Sequence, residues 1–310
     1  MDSERPPIHD LRILITGGAG FIGSHIAEAL APENDVVILD NLSTGSRENV
    51  PSDVTLVEAD IREYDRLSEV MNGVDLVFHH AAVVSVEQSV ENPPLTQEVN
   101  TQATVQLLEY ARRESARVVF ASSAAVYGHP ESVPISESAP TNPTSPYGLT
   151  KLTAERYCRL YADLYDLDTV ALRYFNVYGP RQTAGDYSGV ISIFLEQAHT
   201  GGPITVHGDG SQTRDFIHVD DIVRANIAAA VRGESGSVYN VGTGESISIS
   251  ELAELIRELT PTNDEIDISY TSGRTGDIEQ SRSNIERLSS ELDILPSVKL
   301  QSGLAELIEN

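Results

Sequence analysis

Tyr147 and Lys151 stand four residues apart at the start of Tyr147–Tyr165, a stretch whose pattern predicts a helix, so their side chains share one face. A free phenol has a pKa of about 10 and is a poor base near neutrality. A nearby ammonium stabilises the phenolate and lowers that value. The spacing alone is common, and most often it marks nothing more than a solvated helix face. Two features raise it here. Lys151 is one of only two lysines, with Lys299, against nineteen arginines. In addition, Ser122-Ser123 closes the predicted fifth strand, at the carboxyl edge where parallel sheets hold ligands. A serine hydroxyl at that edge could bridge a substrate oxygen and the tyrosine.

A second constellation follows the first predicted strand. Thr16-Gly17-Gly18-Ala19-Gly20-Phe21-Ile22-Gly23 fits Gly-x-x-Gly-x-x-Gly at Gly17, Gly20 and Gly23, and Gly-x-Gly-x-x-Gly at Gly18, Gly20 and Gly23. Glycines at such positions allow a tight turn, close approach of backbone to a pyrophosphate, and close packing of helix on sheet. The following helix N-terminus offers free N–H groups and the positive end of its dipole. By itself the pattern is a weak signal, since an ordinary glycine turn can match it. Here strand, helix and acid fall in place together. Asp40 ends the next strand, about 20 residues on, where a carboxylate accepts from a ribose 2′-OH and repels a 2′-phosphate. The expected cofactor is therefore NAD rather than NADP, with Arg47 the nearby cation that argues the other way.

Around these groups the first half of the chain alternates strands and helices. Leu11–Thr16, Val36–Leu39, Val54–Glu58, Leu76–His79, Arg117–Ala121 and Thr169–Arg173 read as strands. Several are near-continuous Val, Ile and Leu, which suits strands buried on both faces. Ile22–Ala31, Glu63–Met71, Leu95–Arg113 and Tyr147–Tyr165 read as the intervening helices. The alternation predicts an α/β fold, a doubly wound parallel Rossmann sheet. The second half is more mixed. Ile204–His207 and Val238–Val241 read as strands, Val219–Val231 as a helix with Asp220-Asp221 in its first turn, and Ser250–Leu259 as a serine-capped helix. We expect an NAD-binding domain over 1–173 and a smaller mixed α/β substrate lobe over 174–310, the chain being free to cross back. No Pro/Ser-rich linker separates the two, so a cleft between joined lobes is the expected ligand site.

Taken together, these residues resemble the extended short-chain dehydrogenase/reductase family over nearly the whole chain. Ile15 to His25 is similar to its cofactor loop and Leu39 to Gly45 to its second strand end, with Asn41 beside Asp40. The resemblance implies that Asp60-Ile61 brackets adenine. It implies that His80-Ala81-Ala82 lies under the cofactor, with Asn100 the asparagine of the following helix. Ser122 to Gly128 and Pro146 to Lys151 resemble the catalytic segments, which makes Ser123, Tyr147 and Lys151 the expected catalytic residues. In the run Arg173 to Pro180, Phe175 would touch nicotinamide and Asn176 the substrate phosphate.

The second half narrows the substrate by the same resemblance. Arg214 to Asp221 and Arg274-Thr275-Gly276-Asp277 are similar to the family's nucleotide-sugar signatures. Arg214 and Arg274 would pair with the diphosphate, for which planar guanidinium donors are suited, and Asp277 with the nucleotide ribose. Taken singly, each arginine would pass for a surface salt bridge. Members that dehydrate carry Asp-Glu after the strand-end serine or threonine, and decarboxylating ones often carry Glu there. This chain has Ala124-Ala125, which neither give nor take a proton. What remains is 4-epimerisation of a UDP-sugar through a transient 4-keto sugar. Ser281, where similar epimerases restricted to unacetylated hexoses carry a bulky aromatic, tilts the expectation toward UDP-N-acetylglucosamine, with UDP-glucose as well. A uronic acid substrate, a dehydratase or decarboxylase, and a non-catalytic NAD-binding protein are the alternatives. The last usually lacks the serine, tyrosine or lysine, all of which are present.

Composition bounds the remainder. The 310 residues carry a net charge of −26, spread without any block of five like charges. That disfavours nucleic acid, which needs a basic face, and reads as the solvated acidic surface of a salt-adapted protein. Cys158 is the only cysteine, which excludes an intramolecular disulfide framework and any multi-cysteine metal site. The histidines lack metal-ligand spacing, and adjacent His79 and His80 would point to opposite faces of a strand. No apolar run reaches the roughly 18 residues of a membrane span, and Met1 to Asp10 lacks the signature of a signal peptide. The expectation is a cytoplasmic homodimer, paired through Leu95–Arg113 and Tyr147–Tyr165 as relatives commonly are.

Overall fold

The computed structural model describes residues 8–182, 189–261, 266–273 and 278–309. The strands are β1 (Arg12–Thr16), β2 (Asp35–Asp40), β3 (Thr55–Glu58), β4 (Leu76–His79), β5 (Arg117–Ser123), β6 (Thr169–Tyr174), β7 (Asn176–Tyr178), β8 (Ile204–His207), β9 (Thr213–Arg214), β10 (Phe216–His218), β11 (Ser237–Val241), β12 (Ile247–Ser248) and β13 (Ile268–Thr271). The helices are α1 (Phe21–Leu30), α2 (Tyr64–Met71), α3 (Val86–Glu91), α4 (Pro93–Gln97), α5 (Ala103–Glu114), α6 (Pro146–Tyr165), α7 (Val190–His199), α8 (Val219–Arg232), α9 (Ile249–Leu259), α10 (Glu286–Leu292) and α11 (Leu300–Glu309).

Among the described residues a seven-stranded sheet runs in the order β11-β6-β5-β4-β1-β2-β3, with every pairing parallel. The six strands expected from near-continuous apolar runs are its inner members and one edge. Except on the edge strand β3, their side chains are buried on both faces: Ile13, Ile15 and Ile38 go to one cluster with α1 and α8, and Leu14, Val37 and Val77 to another with α2, α5 and α6. The order reverses between β1 and β4, the switch point at which such sheets bind ligands. β11 extends the sheet on β6 from deep in the second half of the chain. The substrate side is built from short pairs, β7 with β10, β9 with β12 and β8 with β13, around a third apolar cluster that includes Phe194, Ile204 and Leu252.

Two elements depart from the sequence reading. The stretch read as one helix over Leu95–Arg113 is α4, a π-helical turn over Glu98–Gln102, and α5. Pro93 and Pro94 start α4, and the wide turn carries Asn100. Such turns recur at functional sites. The serine cap of α9 is Ser248 rather than Ser250. It accepts from the Glu251 amide while the Glu251 side chain accepts from the Ser248 amide, a reciprocal capping box.

Candidate active site

A cavity of about 740 Å³ crosses the carboxyl ends of the sheet, from the β3 end at Asp60 to the β6 end at Tyr174. Of the sequence-predicted residues, Gly17, Gly20, Phe21, Ile22, Gly23, Asp40, Asn41, Asp60, Ile61, Ala81, Ala82, Ser123, Tyr147, Lys151, Phe175 and Asn176 all line it. Glycine-rich loop and tyrosine thus face one space, although they are 124 or more positions apart in the chain.

The loop fits a dinucleotide on its own geometry. Gly17 has φ +70, and a Cβ there would meet the Ala81 amide nitrogen at 2.7 Å. Gly20 caps α1 without any side-chain cap, so the N-terminal amides of that ten-residue helix face the cavity and suit a pyrophosphate. Asp40 is buried, and each of its carboxylate oxygens already accepts a backbone N–H: Ala19 on Oδ2 at 2.9 Å and Leu42 on Oδ1 at 2.8 Å. It therefore fixes the loop while lining the cavity. Arg47, the cation that argued for NADP, is paired with Glu58. Asp60 is held by the Arg62 fork and accepts from Asn41 at 3.0 Å. The hydrogen bond from Arg62 takes its pKa down to about 2.

The helix that carries Tyr147 and Lys151 is placed by its first turn. Ser145 caps α6 by accepting from the Gly148 amide at 3.1 Å, with Pro146 at the first helical position. A Cβ on Gly148 would meet the Ala125 carbonyl at 2.7 Å, so glycine there lets α6 close onto the turn after β5. The result is that Ser123 and Tyr147 line the same cavity. Burial raises the Tyr147 pKa and Ser123 lowers it, with burial the larger effect. Lys151 is buried, and its ammonium donates to the Ala121 carbonyl at 2.8 Å. Burial lowers its pKa to about 8. Lys151, expected to depress the tyrosine, lines the same cavity while one of its three N–H groups donates to Ala121.

Other predicted residues act from outside the cavity lining. Asn100 is buried in the π-helical turn and clamps Val83, accepting from its amide at 2.7 Å and donating to its carbonyl at 2.9 Å. It holds the segment after β4 rather than lining the cavity. Arg214 donates to the Ile278 carbonyl at 2.6 Å, and the Ser281 amide donates to the Thr213 carbonyl at 3.1 Å. Both therefore belong to the β9 wall. Arg274 and Asp277 lie outside the described residues.

The structure gives His79 and His80 their partners and adds Arg181, which the sequence reading did not assign. His80 lines the cavity and shares a 3.1 Å hydrogen bond with the Tyr174 hydroxyl, whereas His79 turns away to Thr16 and Thr104. Burial, aided by the Lys151 charge, lowers both histidine pKa values to about 3, so both are neutral. Arg181, with φ +67, reaches from the cavity to Ser24 and Glu28 on α1. Its place after Gly179-Pro180 gave no sign of that contact, which spans more than 150 residues. Among the described residues no group of three or more His, Cys, Asp or Glu is placed to hold a metal ion.

Known proteins share this arrangement. The model of the NAD dependent epimerase/dehydratase family matches residues 13–242. The chain is similar to a putative UDP-glucose 4-epimerase of Methanocaldococcus jannaschii, 41% identical, over 96% of this chain and 97% of that one. It is also similar to a UDP-N-acetyl-α-D-glucosaminuronate decarboxylase of Bacillus cytotoxicus, 35% identical, over 96% of this chain and 97% of the other. Among solved structures, the UDP-N-acetylglucosamine 4-epimerase of Methanobrevibacter ruminantium, in complex with UDP-N-acetylmuramic acid, superposes with a TM-score of 0.93. It is 38% identical, covering 97% of this chain and 98% of that one. With its parallel sheet, its glycine loop and its serine–tyrosine pair on one cavity, the chain belongs to the NAD dependent epimerase/dehydratase family, and its cofactor is NAD.

Proposed function

We propose that this enzyme interconverts UDP-sugars epimeric at C4, with UDP-N-acetylglucosamine and UDP-glucose as the substrates to expect. The observation that carries the reading is that Ser123, Tyr147 and Lys151 line one cavity, followed after Ser123 by a turn, Ala124–Val126, that bears no acid. Bound NAD supplies a hydride acceptor that becomes the donor in the return step. Tyr147 Oη takes the proton from the sugar C4 hydroxyl and gives it back, and Ser123 Oγ steadies that oxygen. Lys151 holds positive charge beside the pair. Expulsion of water needs a further proton donor, which Ala124 and Ala125 do not offer. Removal and return of one proton at the C4 oxygen, which is all that epimerisation would ask of the chain's acid–base groups, is what this set supports.

On the substrate side, Asn176 Nδ2 donates to the Asp215 carbonyl at 3.0 Å, and Arg214, Arg274 and Asp277 are assigned to the diphosphate and ribose. We assign 1–173 to the NAD domain and 174–310 to the sugar lobe, with β11 crossing back. Exposed Leu149, Leu160 and Leu164 on α6, with Val86 and Val90 on α3, support a homodimer. α5 contributes charged Arg112 and Arg113 at its end instead. No helix among the described residues is long and apolar enough to cross a membrane. We place the protein in the cytoplasm of a salt-adapted cell on its charge and single cysteine. The deciding experiment incubates the purified protein with a panel of UDP-, dTDP- and GDP-sugars and resolves the products by NMR. A C4 epimer from a UDP-sugar supports the reading. Loss of water or of a carboxylate, or no product from any sugar, overturns it.

A further inference from the structure

We propose that Glu155 is a positioning residue for the reaction: its carboxylate fixes the tyrosine–lysine helix in register against the strand ends that carry Ser123 and Phe175. This inference rests on the proposed function for its kinetic meaning and on geometry for its substance. Tyr147, Lys151 and Glu155 follow one another at intervals of four along α6, so they form one stripe of the helix. Glu155 is only 4% exposed. It accepts from Ser122 Oγ at 2.7 Å, from Arg173 Nε at 2.9 Å and from Arg173 Nη2 at 2.6 Å. Ser122 is the neighbour of Ser123 at the end of β5, and Arg173 stands two residues before Phe175 at the end of β6. One carboxylate therefore ties together the three elements whose alignment makes the site.

The cluster continues beyond the pair. Arg173 Nη1 donates to the Tyr127 hydroxyl at 2.8 Å and to the Glu137 carbonyl at 3.1 Å. Tyr127 donates in turn to Asn240 Oδ1 on β11 at 2.6 Å. None of these side-chain polar atoms is left without a partner.

Stability is a poor reason for such an arrangement. Replacing a buried ion pair by apolar residues of similar volume is often neutral or stabilising. A forked arginine–carboxylate pair supplies direction instead. Two further hydrogen bonds join α6 to the sheet, Lys151 to the Ala121 carbonyl and Thr169 to the Cys158 carbonyl, and the apolar contacts through Ala154, Cys158 and Ala171 carry no directional preference; Glu155 alone among these reaches both strand ends through side chains. Misplacement by about 1 Å can cost on the order of 100-fold in rate.

The test compares Glu155→Gln with the double variant Glu155→Met/Arg173→Met. We expect kcat for UDP-sugar epimerisation, and the rate of nicotinamide reduction seen by absorbance, to fall about 10- to 100-fold in both. KM and bound NAD should stay within about threefold. The double variant should melt at or above the wild-type temperature, because no buried charge is left unpaired. It also leaves net charge unchanged, so a titration of Tyr147, taken as the difference from the matched Tyr147→Phe protein, reads geometry alone. Displacing Ser123, which lowers the tyrosine pKa, should move that pKa upward. A double variant with wild-type kcat and an unmoved tyrosine overturns the proposal, as does a kcat loss that merely tracks a loss of folded protein. A wild-type enzyme that epimerises no UDP-sugar sinks the proposed function instead, and the tyrosine titration then decides on Glu155 alone.

Discussion

Lys151 Nζ donates to the Ala121 carbonyl at 2.8 Å, inside the protein and under the Phe120 ring at 5.1 Å. The ammonium is thus held by β5, the strand that carries Ser123, and burial takes its pKa from 10.5 down to about 8. A lysine whose folded value is depressed is a burden below that value, since the folded chain must carry a poorly solvated charge. Between about 8 and 10.5 the unfolded chain holds a proton that the folded one has released, so stability rises with pH across that window. Lys151→Met should therefore raise the melting temperature of nucleotide-free protein at pH 7, by up to about 3 kcal/mol of stability. The gain should shrink to nothing above pH 10.5, while activity and NAD retention are lost. Melting curves at several pH values check this, and a destabilised variant at pH 7 rejects it.

Tyr147→Phe removes only the phenolic oxygen proposed as the base. Turnover should drop at least 100-fold, within the range that a positioned acid–base group supplies. Bound NAD, assayed after denaturing the purified protein, should be unchanged. More than a few per cent of residual activity would exclude Tyr147 as the base.

Asp40→Ala removes the charge proposed to face the ribose and leaves the Ala19 and Leu42 amides without their acceptor. Unmet buried donors cost about 1–3 kcal/mol, so both stability and NAD affinity should fall. The ratio of NADP to NAD dissociation constants should fall as well, without reversing, because Arg47 stays paired with Glu58. An unchanged ratio in paired titrations would assign selectivity to another residue.

Ser281→Tyr probes the sugar C2 substituent. Ser281 is buried beside the β9 wall, and added bulk in a filled site costs about 1–3 kcal/mol. kcat/KM for UDP-N-acetylglucosamine should fall at least tenfold, with UDP-glucose nearly untouched. Equal losses on both sugars, with a lower melting temperature, would put position 281 in the core of the lobe and not in the pocket.

Assembly and salt are checked together. Salt screens charges over about 10 Å at 0.1 M and 3 Å at 1 M, and a net charge of −26 repels itself most in dilute buffer. Melting temperature and activity should both rise from dilute buffer to 2 M potassium chloride. Sedimentation at micromolar concentration in that salt should give a dimer, and Leu160→Glu/Leu164→Glu should give a monomer. A flat or falling melting temperature, or a wild-type monomer in the active salt, contradicts the respective reading.

The sequence by itself determined the sheet, the cofactor loop and the tyrosine–lysine face, because each is written in local spacing. Buried parallel strands show as unbroken apolar runs, a phosphate loop as glycines between strand and helix, and a shared helix face as an interval of four. Tertiary structure alone decided where the polar side chains end their reach. Asn100 clamps Val83, Arg181 crosses to Glu28, Lys151 settles on Ala121, and Glu155 meets Ser122 and Arg173. Each of these hydrogen bonds joins elements set side by side only by the crossovers of the sheet. A hydrogen bond depends on a few tenths of an ångström and on direction, and neither is encoded in the spacing of residues along the chain.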